Sequence, residues 1–283
     1  MRRVGRTDLF KLAEKNAAAL ESRFEELKAL RPVDEAAQID RFADRVHLDG
    51  RVSVNMRPSV LSYILLGRKH QSIHEWAEEQ AGTSGRPASE ILQEKLHENH
   101  DARLAFEDSF EQGRKFRYGC LNIGGAGPVS KYGQFCCVLK SDFPWGKGRI
   151  AYLRGDSLRM YVSTDNKTNV EALSRDAAAQ GSRHHLAALK HGERILGAEE
   201  EMWPEIVCSD ADYIEAVFTE VVGMGELGEV RVPGEEYDRL WDLAFGDFGK
   251  SLTDDEHALR NVFVMILREV GRRSIELRRV CNA

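Results

Sequence analysis

Apolar residues recur at helical spacing from Thr7 to Leu30, with Leu9, Leu12, Leu20, Phe24, Leu27 and Leu30 set among Lys and Glu until Arg31-Pro32 breaks the run. This spacing predicts one long amphipathic helix. A second helical stretch, Glu35 to Val46, leads through Asp49-Gly50 into Arg51 to Arg57, where Val52, Val54 and Met56 alternate with polar residues as in a half-buried strand. Pro58 suits the first turn of a helix through Leu61, Ile64 and Leu65, and helical patterns fill Ser72 to Ala81 and Ala88 to Gly113.

The pattern changes at Phe116. Phe116 to Ile123, Phe135 to Leu139 and Arg149 to Leu153 are rich in strand formers, with turns at Gly124 to Pro128 and Pro144 to Gly148, and they read as a meander. Asn169 to Leu196 returns to helix. Met202 to Val207, Tyr213 to Val222 and Glu229 to Val232 read as further strands, the first two linked by Ser209 to Asp212. After Pro233 the chain is read as ending in helix. Thr253 and Glu256 have capping-box spacing there, and Leu259, Val262, Phe263, Ile266 and Val270 draw one apolar stripe. No repeat or low-complexity tract is present. The expectation is an α+β protein with a helical N-terminal extension at 1–46 and a main domain at 47–283.

Composition narrows the function classes. With 283 residues, 42% apolar and 30% charged, the chain can bury a core without disulfides or metal, which excludes disordered and fibrous classes. A net charge of −6 with both signs interspersed argues against nucleic acid as a partner. No apolar run reaches a membrane span, and the basic start Met1 to Arg6 is not followed by the apolar core of a cleaved signal peptide, so a soluble protein without a membrane partner is expected. The five cysteines, Cys120, Cys136, Cys137, Cys208 and Cys281, form no CxxC pair and are odd in number, which points to a reducing compartment and away from a thiolate zinc site. His184-His185 and the pair His70 and His74 have spacings open to metal, but no HExxH accompanies them, and no metal is expected.

Candidate chemistry gathers in three places. Phe116 to Gly127 and Lys131 to Leu139 crowd glycines and aromatics together; glycine admits close backbone approach and an aromatic ring stacks on a planar ligand, although for the glycines alone a tight hairpin turn at Gly124 to Gly127 is the preferred account. A Rossmann fingerprint and a Walker loop are both missing. Glu199-Glu200-Glu201 enters an expected strand, where Glu199 and Glu201 would share a face and a carboxylate could stabilise positive charge, or simply be solvated. Arg57 closes the first expected strand, as a pyrophosphate-gripping arginine would, with Arg51 as its rival. Gly155-Asp156-Ser157 could cap a helix or line a site, and is read first as a helix cap. Cys136-Cys137 is read as a buried pair of small hydrophobes.

The order Arg57, Tyr118-Gly119, Tyr132-Gly133-x-Phe135-Cys136 and Glu199-x-Glu201 resembles the order of parts in bacterial mono-ADP-ribosyltransferases. Arg117 to Asn122, the later Tyr-Gly-x-Phe-Cys and Arg149 to Ser157 also look like segments of an uncharacterised bacterial family associated with that fold. Size and helical N-terminus are similar to type III effectors that ADP-ribosylate a threonine of host ubiquitin. The resemblance implies a split β-sheet core, NAD as co-substrate, a protein acceptor such as ubiquitin, and a virulence toxin that works in the bacterial or host cytosol. It assigns Arg57 to the pyrophosphate or ribose and Tyr118, Gly119 and Asn122 to the cofactor groove. Tyr132 and Phe135 would face the nicotinamide, Glu201 would be the catalytic carboxylate and Glu199 would orient the acceptor. The Ser-Thr-Ser element of that superfamily is missing, and the choice among Glu199, Glu200 and Glu201 stays open. NAD glycohydrolysis and a non-catalytic interaction module are the competing functions.

Overall fold

The structure is a computed structural model that describes residues 6–143, 149–246 and 252–280. Cys281 and the expected turn at 144–148 lie outside the described residues. Eight strands form one mixed sheet: β1 (Arg51–Met56), β2 (Arg117–Asn122), β3 (Phe135–Leu139), β4 (Ile150–Leu153), β5 (Ala178–Ala179), β6 (Glu215–Phe218), β7 (Leu227–Pro233) and β8 (Glu276–Val280). Their spatial order is β5-β4-β6-β2-β1-β3-β7-β8. All pairings are antiparallel except β7 with β8. An α+β protein is what the sequence pattern predicts. Among the described residues, no helix is long and apolar enough to cross a membrane.

The two faces of the central strands differ in chemistry. Residues paired in register share a face, so Ser53 lies with Cys120, Cys120 with Glu215, Asn55 with Cys136, and Cys136 with Arg231. That face carries buried polar groups. The alternate residues Val52, Val54, Met56, Leu121, Phe135, Ala216, Phe218, Val230 and Val232 make the apolar face. They share one core with Ile39 and Phe42 of the helix Val33–Asp49, Leu61 and Ile64 of Pro58–Leu65, Leu186 of Arg183–Ile195, and Phe263 and Ile266 of Asp254–Arg272. Leu20 and Phe24 belong to it too, so helices of the first 46 residues help to close the sheet's main core. A second cluster packs Leu9, Phe10, Phe106, Phe110 and Phe116 over Ala151, Leu153 and Val217 at the other side of β4 and β6.

The sheet forks in its middle. β1 pairs β2 at only three positions, Arg51 with Asn122, Val52 with Leu121 and Ser53 with Cys120. Beyond Ser53, the residues Val54 to Met56 pair with β3, while Arg117 to Gly119 pair with β6. At the apex a Cβ on Gly119 would stand 2.6 Å from the Ser53 carbonyl oxygen, so only glycine lets the two strands meet there.

Several expected elements differ, each for a local reason. The helix from Thr7 divides into Leu9–Lys15 and Ala17–Ala29 because Asn16 turns inward, its Nδ2 donating to the carbonyls of Arg175 at 2.9 Å and Ala177 at 2.8 Å. Ala88 to Gly113 breaks into Ala88–Leu96 and His100–Asp108 at His97, whose φ is 48°. Met202 to Val207 is not a strand: Glu200–Met202 is a 3₁₀ turn and Trp203–Val207 a helix, with Pro204 in its first turn where the missing N–H costs nothing. The segments from Phe116 to Leu153 form no meander, since β1 intervenes between β2 and β3, and β6 between β2 and β4. Gly124 to Gly127 therefore belongs to a crossing and not to a hairpin. Asn169 to Leu196 holds two helices, Val170–Asp176 and Arg183–Ile195, around the short β5. The last described element is not helix but β8, laid parallel to β7. The Thr253 and Glu256 capping box forms as its spacing predicts.

Two glycines give opposite predictions. Gly119→Ala must push the fork apart and costs about 1–3 kcal/mol. Gly82, exposed in the helix Ile73–Ser84 with open space around its Cα, gains about 0.5–1 kcal/mol as Ala. Urea midpoints of the two variants should move in opposite directions, and a Gly119→Ala midpoint equal to wild type would contradict the tight apex.

Candidate functional site

A cleft of about 580 Å³ opens into the fork. Val54 and Asn55 line it from one prong and Arg117, Tyr118, Gly119 and Cys120 from the other. Helix Pro58–Leu65 contributes Val60, Tyr63 and Ile64, and the segments after it contribute Lys69, His70 and Trp76. Tyr132 and Tyr213 also line it, together with Arg103 and the buried Glu215.

Glu215 is the central group. It sits in the strand run Glu-Ala-Val-Phe, opposite Cys120 and only 4% exposed. Burial pushes its carboxyl up to about 7; Asp156 pushes the same way, while the Arg103 guanidinium and the hydrogen bond from Ser157 N at 3.0 Å oppose the rise. The group is therefore poised between its two protonation states at neutral pH.

Its neighbours hold one another in place. Arg103 lies 4.0 Å from the centre of the Tyr118 ring, and its buried Nη1 finds no acceptor in the protein. Burial disfavours its charge, but Tyr118, Glu215 and Glu107 together outweigh that and hold it firmly protonated. Tyr118 Oη donates to Glu107 Oε1 at 2.9 Å, and Glu107 Oε2 meets His74 Nε2 at 2.6 Å. Burial drives the Tyr118 phenol well above its usual range, so it stays a donor. Asp156 caps the helix Ser157–Tyr161 through Oδ1, as its sequence context predicts, and its Oδ2 accepts from Tyr213 Oη at 3.1 Å. His70, at the cleft wall, is pushed down to about 4 by burial and by Arg117, which keeps it neutral.

Of the residues singled out from the sequence, Tyr118, Gly119 and Tyr132 come together in this cleft. The others lie elsewhere. Arg57 is exposed beyond the cleft lining and accepts, through its carbonyl, the first hydrogen bonds of helix Pro58–Leu65. Phe135 is fully buried on the apolar face against Phe263. Asn122, at the far end of β2, fastens the glycine loop: Nδ2 donates to Gly125 O at 3.0 Å and Oδ1 accepts from Arg231 at 3.0 Å. Glu199, Glu200 and Glu201 are exposed, with Glu200 bound to Arg41. Glu201 and Arg51 line a separate crevice of about 1000 Å³. It is larger, but several of its charges answer one another or the backbone, as in Arg231 with Glu229 at 2.9 Å and Arg51 with the Leu48 carbonyl. The forked cleft, with its unanswered guanidinium nitrogen and poised carboxyl, is the site with chemical capacity.

The sequence reading missed Glu215, Arg103 and Glu107 as site residues and gave Asp156 first to a helix cap, with lining a site as the alternative. One signal was available: Glu215 is a lone acid inside Tyr213-Ile-Glu-Ala-Val-Phe218, where a solvated strand would alternate and a buried one would exclude it. Arg103 and Glu107 share a helix face at i, i+4 and read as an ordinary surface pair. Among the described residues no three His, Cys, Asp or Glu side chains are grouped to hold a metal ion. Cys136 and Cys137 are buried, and burial raises both thiols, Cys136 to about 12, which disfavours a reactive thiolate.

A stability measurement tests the burial of Glu215. The folded carboxyl holds its proton to about pH 7, whereas the unfolded one releases it near 4.5. The contribution is thus complete below pH 4.5 and lost as pH rises through 7. Glu215→Gln, which keeps an oxygen for Ser157 N, should gain about 1–3 kcal/mol over wild type at pH 8 and little at pH 4.5. Equal melting-temperature differences at the two pH values would contradict it. No known family model matches the chain, and no curated protein matches its sequence.

Proposed function

We propose that the chain is a mono-ADP-ribosyltransferase that uses NAD in the forked cleft, with Glu215 as its catalytic carboxylate. One observation carries this reading: the cleft is electrically polar along its depth. Glu215 lines the floor beside Arg103, with Asp156 and Glu107 behind Tyr213 and Tyr118 and His74 sharing Glu107, while the other guanidinium in the lining, that of Arg117, is answered by Glu75. At the rim are the exposed Lys69 and Lys95, the latter 5.4 Å from the Trp76 ring centre, and the half-buried Glu79, whose carboxylate accepts from Gln71 Nε2 at 2.6 Å. A ligand matched to that gradient has a cationic head and an anionic tail, as NAD has in its nicotinamide ring and pyrophosphate. The aromatic side chains Tyr63, Trp76 and Tyr118 offer stacking surfaces for its planar rings.

The chemistry follows from the floor. When the bond between ribose C1′ and the nicotinamide nitrogen breaks, its electron pair goes to the ring and positive charge appears on the sugar. A carboxylate fixed beside that carbon stabilises the charge where it develops, and the dry setting strengthens the effect. Glu215 is half ionised at neutral pH when alone; a cationic ring beside it favours the ionised form. The ladder to Cys120 and the hydrogen bond from Ser157 N fix the carboxylate's position. Val60, Tyr63 and Tyr132, each about two-fifths exposed, form an apolar lip on which a protein acceptor would rest. Glu201, placed in the paired-charge crevice, has no part in this reading.

The test is a comparison of carboxylate variants with adenylate-labelled NAD. Glu215→Gln should slow nicotinamide release about 100-fold or more, while Glu201→Ala and Glu199→Ala leave it at the wild-type rate. A Glu215→Gln enzyme that releases nicotinamide at the wild-type rate would overturn the assignment. Label that ends on free ADP-ribose and on no protein would make the activity a glycohydrolase.

A further inference from the structure

The helix Pro58–Leu65 is apolar on both of its faces. Leu61, Ile64 and Leu65 point into the main core, as a surface helix requires. The outward positions Val60, Tyr63 and Leu66, three residues apart, would ordinarily be charged, yet the chain carries no charged residue from Pro58 to Gly67. All three are exposed, Leu66 to 63%. Val60 and Tyr63 also line the cleft, so this apolar stripe begins at its mouth and runs away from it along the helix.

Cations gather where the stripe ends. The helix Asp254–Arg272 finishes against the same turn, and Arg268, Arg272 and Arg273 all reach the one carboxylate of the buried Glu269, at 3.1, 3.3 and 3.3 Å. Arg273 Nη2 also donates to the Leu65 carbonyl at 3.4 Å, which fixes this cluster beside the exposed Leu66. Three guanidiniums on one carboxylate leave positive charge unanswered. The side chains of Arg268 and Arg272 are 65% and 68% exposed, so that surplus faces outward. From the other side come Arg68, its guanidinium 5.4 Å from the Tyr63 ring centre, and Lys69, both exposed. The carboxyl ends of the two helices answer some of this charge, about half a unit each. The acid that shares the cleft lining with Lys69, Glu79, is engaged by Gln71.

We propose that this patch docks an acidic protein surface that carries an apolar projection, and holds it at the mouth of the cleft. Calling that protein the acceptor rests on the transferase reading above; the docking does not. Charge complementarity selects the partner, because carboxylates pair with arginine forks and a neutral or basic surface would leave them unanswered. The apolar stripe supplies the contact that loses water, with Leu66 and the Tyr63 ring as its centre. An anionic bilayer is the other surface that takes apolar side chains flanked by cations. It is disfavoured here, since the chain as a whole is acidic, at −6, and a broad anionic sheet would meet the rest of that surface too. A protein can meet the patch alone.

The experiment uses the full chain without NAD and a fluorescent random copolymer of glutamate and tyrosine, with binding read by anisotropy at low and at high salt. Polyglutamate and phosphatidylserine vesicles serve as comparison ligands. The copolymer should bind more tightly than polyglutamate, and salt should weaken it about tenfold or more. Leu66→Ser, Arg68→Glu and the pair Arg268→Gln with Arg272→Gln, which leaves Arg273 on Glu269, should each weaken it about fivefold or more. The pair Lys11→Gln with Lys15→Gln, on the helix Leu9–Lys15, should leave it unchanged, and melting temperatures confirm that every variant is folded. Wild-type affinity in the folded patch variants, equal weakening by the Lys11 and Lys15 pair, or binding to the vesicles and not to the copolymer would overturn the docking surface. The transferase reading fails separately: no nicotinamide release from a wild type that binds the copolymer as expected would remove the enzyme and keep the docking surface.

Discussion

The burial of one carboxyl group on a forked sheet is the constraint on which the rest of the site depends. A strand so close to the middle of a sheet would ordinarily carry apolar residues on both faces, and β6 does so except at Glu215. An unpaired buried carboxylate is expensive, and the surroundings moderate that cost without removing it. Ser157 N supplies a hydrogen bond and Arg103 supplies an opposing charge, while Asp156 works in the other direction. The result is a group held near the midpoint of its titration. A fully compensated carboxylate would be inert at neutral pH, and a fully uncompensated one would stay protonated.

The fork and the two-faced sheet make that arrangement possible. The apolar face is sealed by helices and carries the folding energy, so the opposite face can hold Ser53, Asn55, Cys120, Asn122, Cys136, Glu215, Glu229 and Arg231. Toward β7 these groups satisfy one another and the glycine loop, with Asn122 as the hub. Asn55 adds a bond from its Nδ2 to the Ala126 carbonyl, next to Gly127, whose φ of 73° suits glycine. The glycine loop thus roofs the structural half of the polar face. Toward β6 the strands part, the roof ends at Tyr132, and the polar groups meet a cleft in place of a loop.

Much of the chain's local structure was legible in its sequence. The strand at Arg51 to Met56, the proline at the start of the next helix and the Thr253 and Glu256 capping box all formed, although the strand is not half-buried as its alternation suggests, because Ser53 and Asn55 are buried on the polar face. What misled was context. Met202 to Val207 has strand-forming composition, but Pro204 and the packing of Trp203 edge-on against Phe42 favour a helical turn. That single difference takes Glu199 and Glu201 off a strand and out to solvent. The helix break at Asn16 depends on carbonyls more than 150 residues away, and no periodicity reveals them. The cleft shows the same division: Tyr118, Gly119 and Tyr132 stood out through composition, whereas Arg103, Glu107 and Asp156 have ordinary local spacing. Their role comes from the order of strands, which places β6 against β2 and brings distant carboxylates around one floor.

The central claim is that Glu215 changes protonation when a cation-headed ligand enters the cleft. Calorimetric titration of the protein with NAD at pH 7, in buffers of different ionisation enthalpy, measures that directly. A group with a midpoint near 7 should release roughly half a proton on binding, and Glu215→Gln should bind without release. Binding with no net proton change in the wild type, or with the same release in Glu215→Gln, would contradict the account.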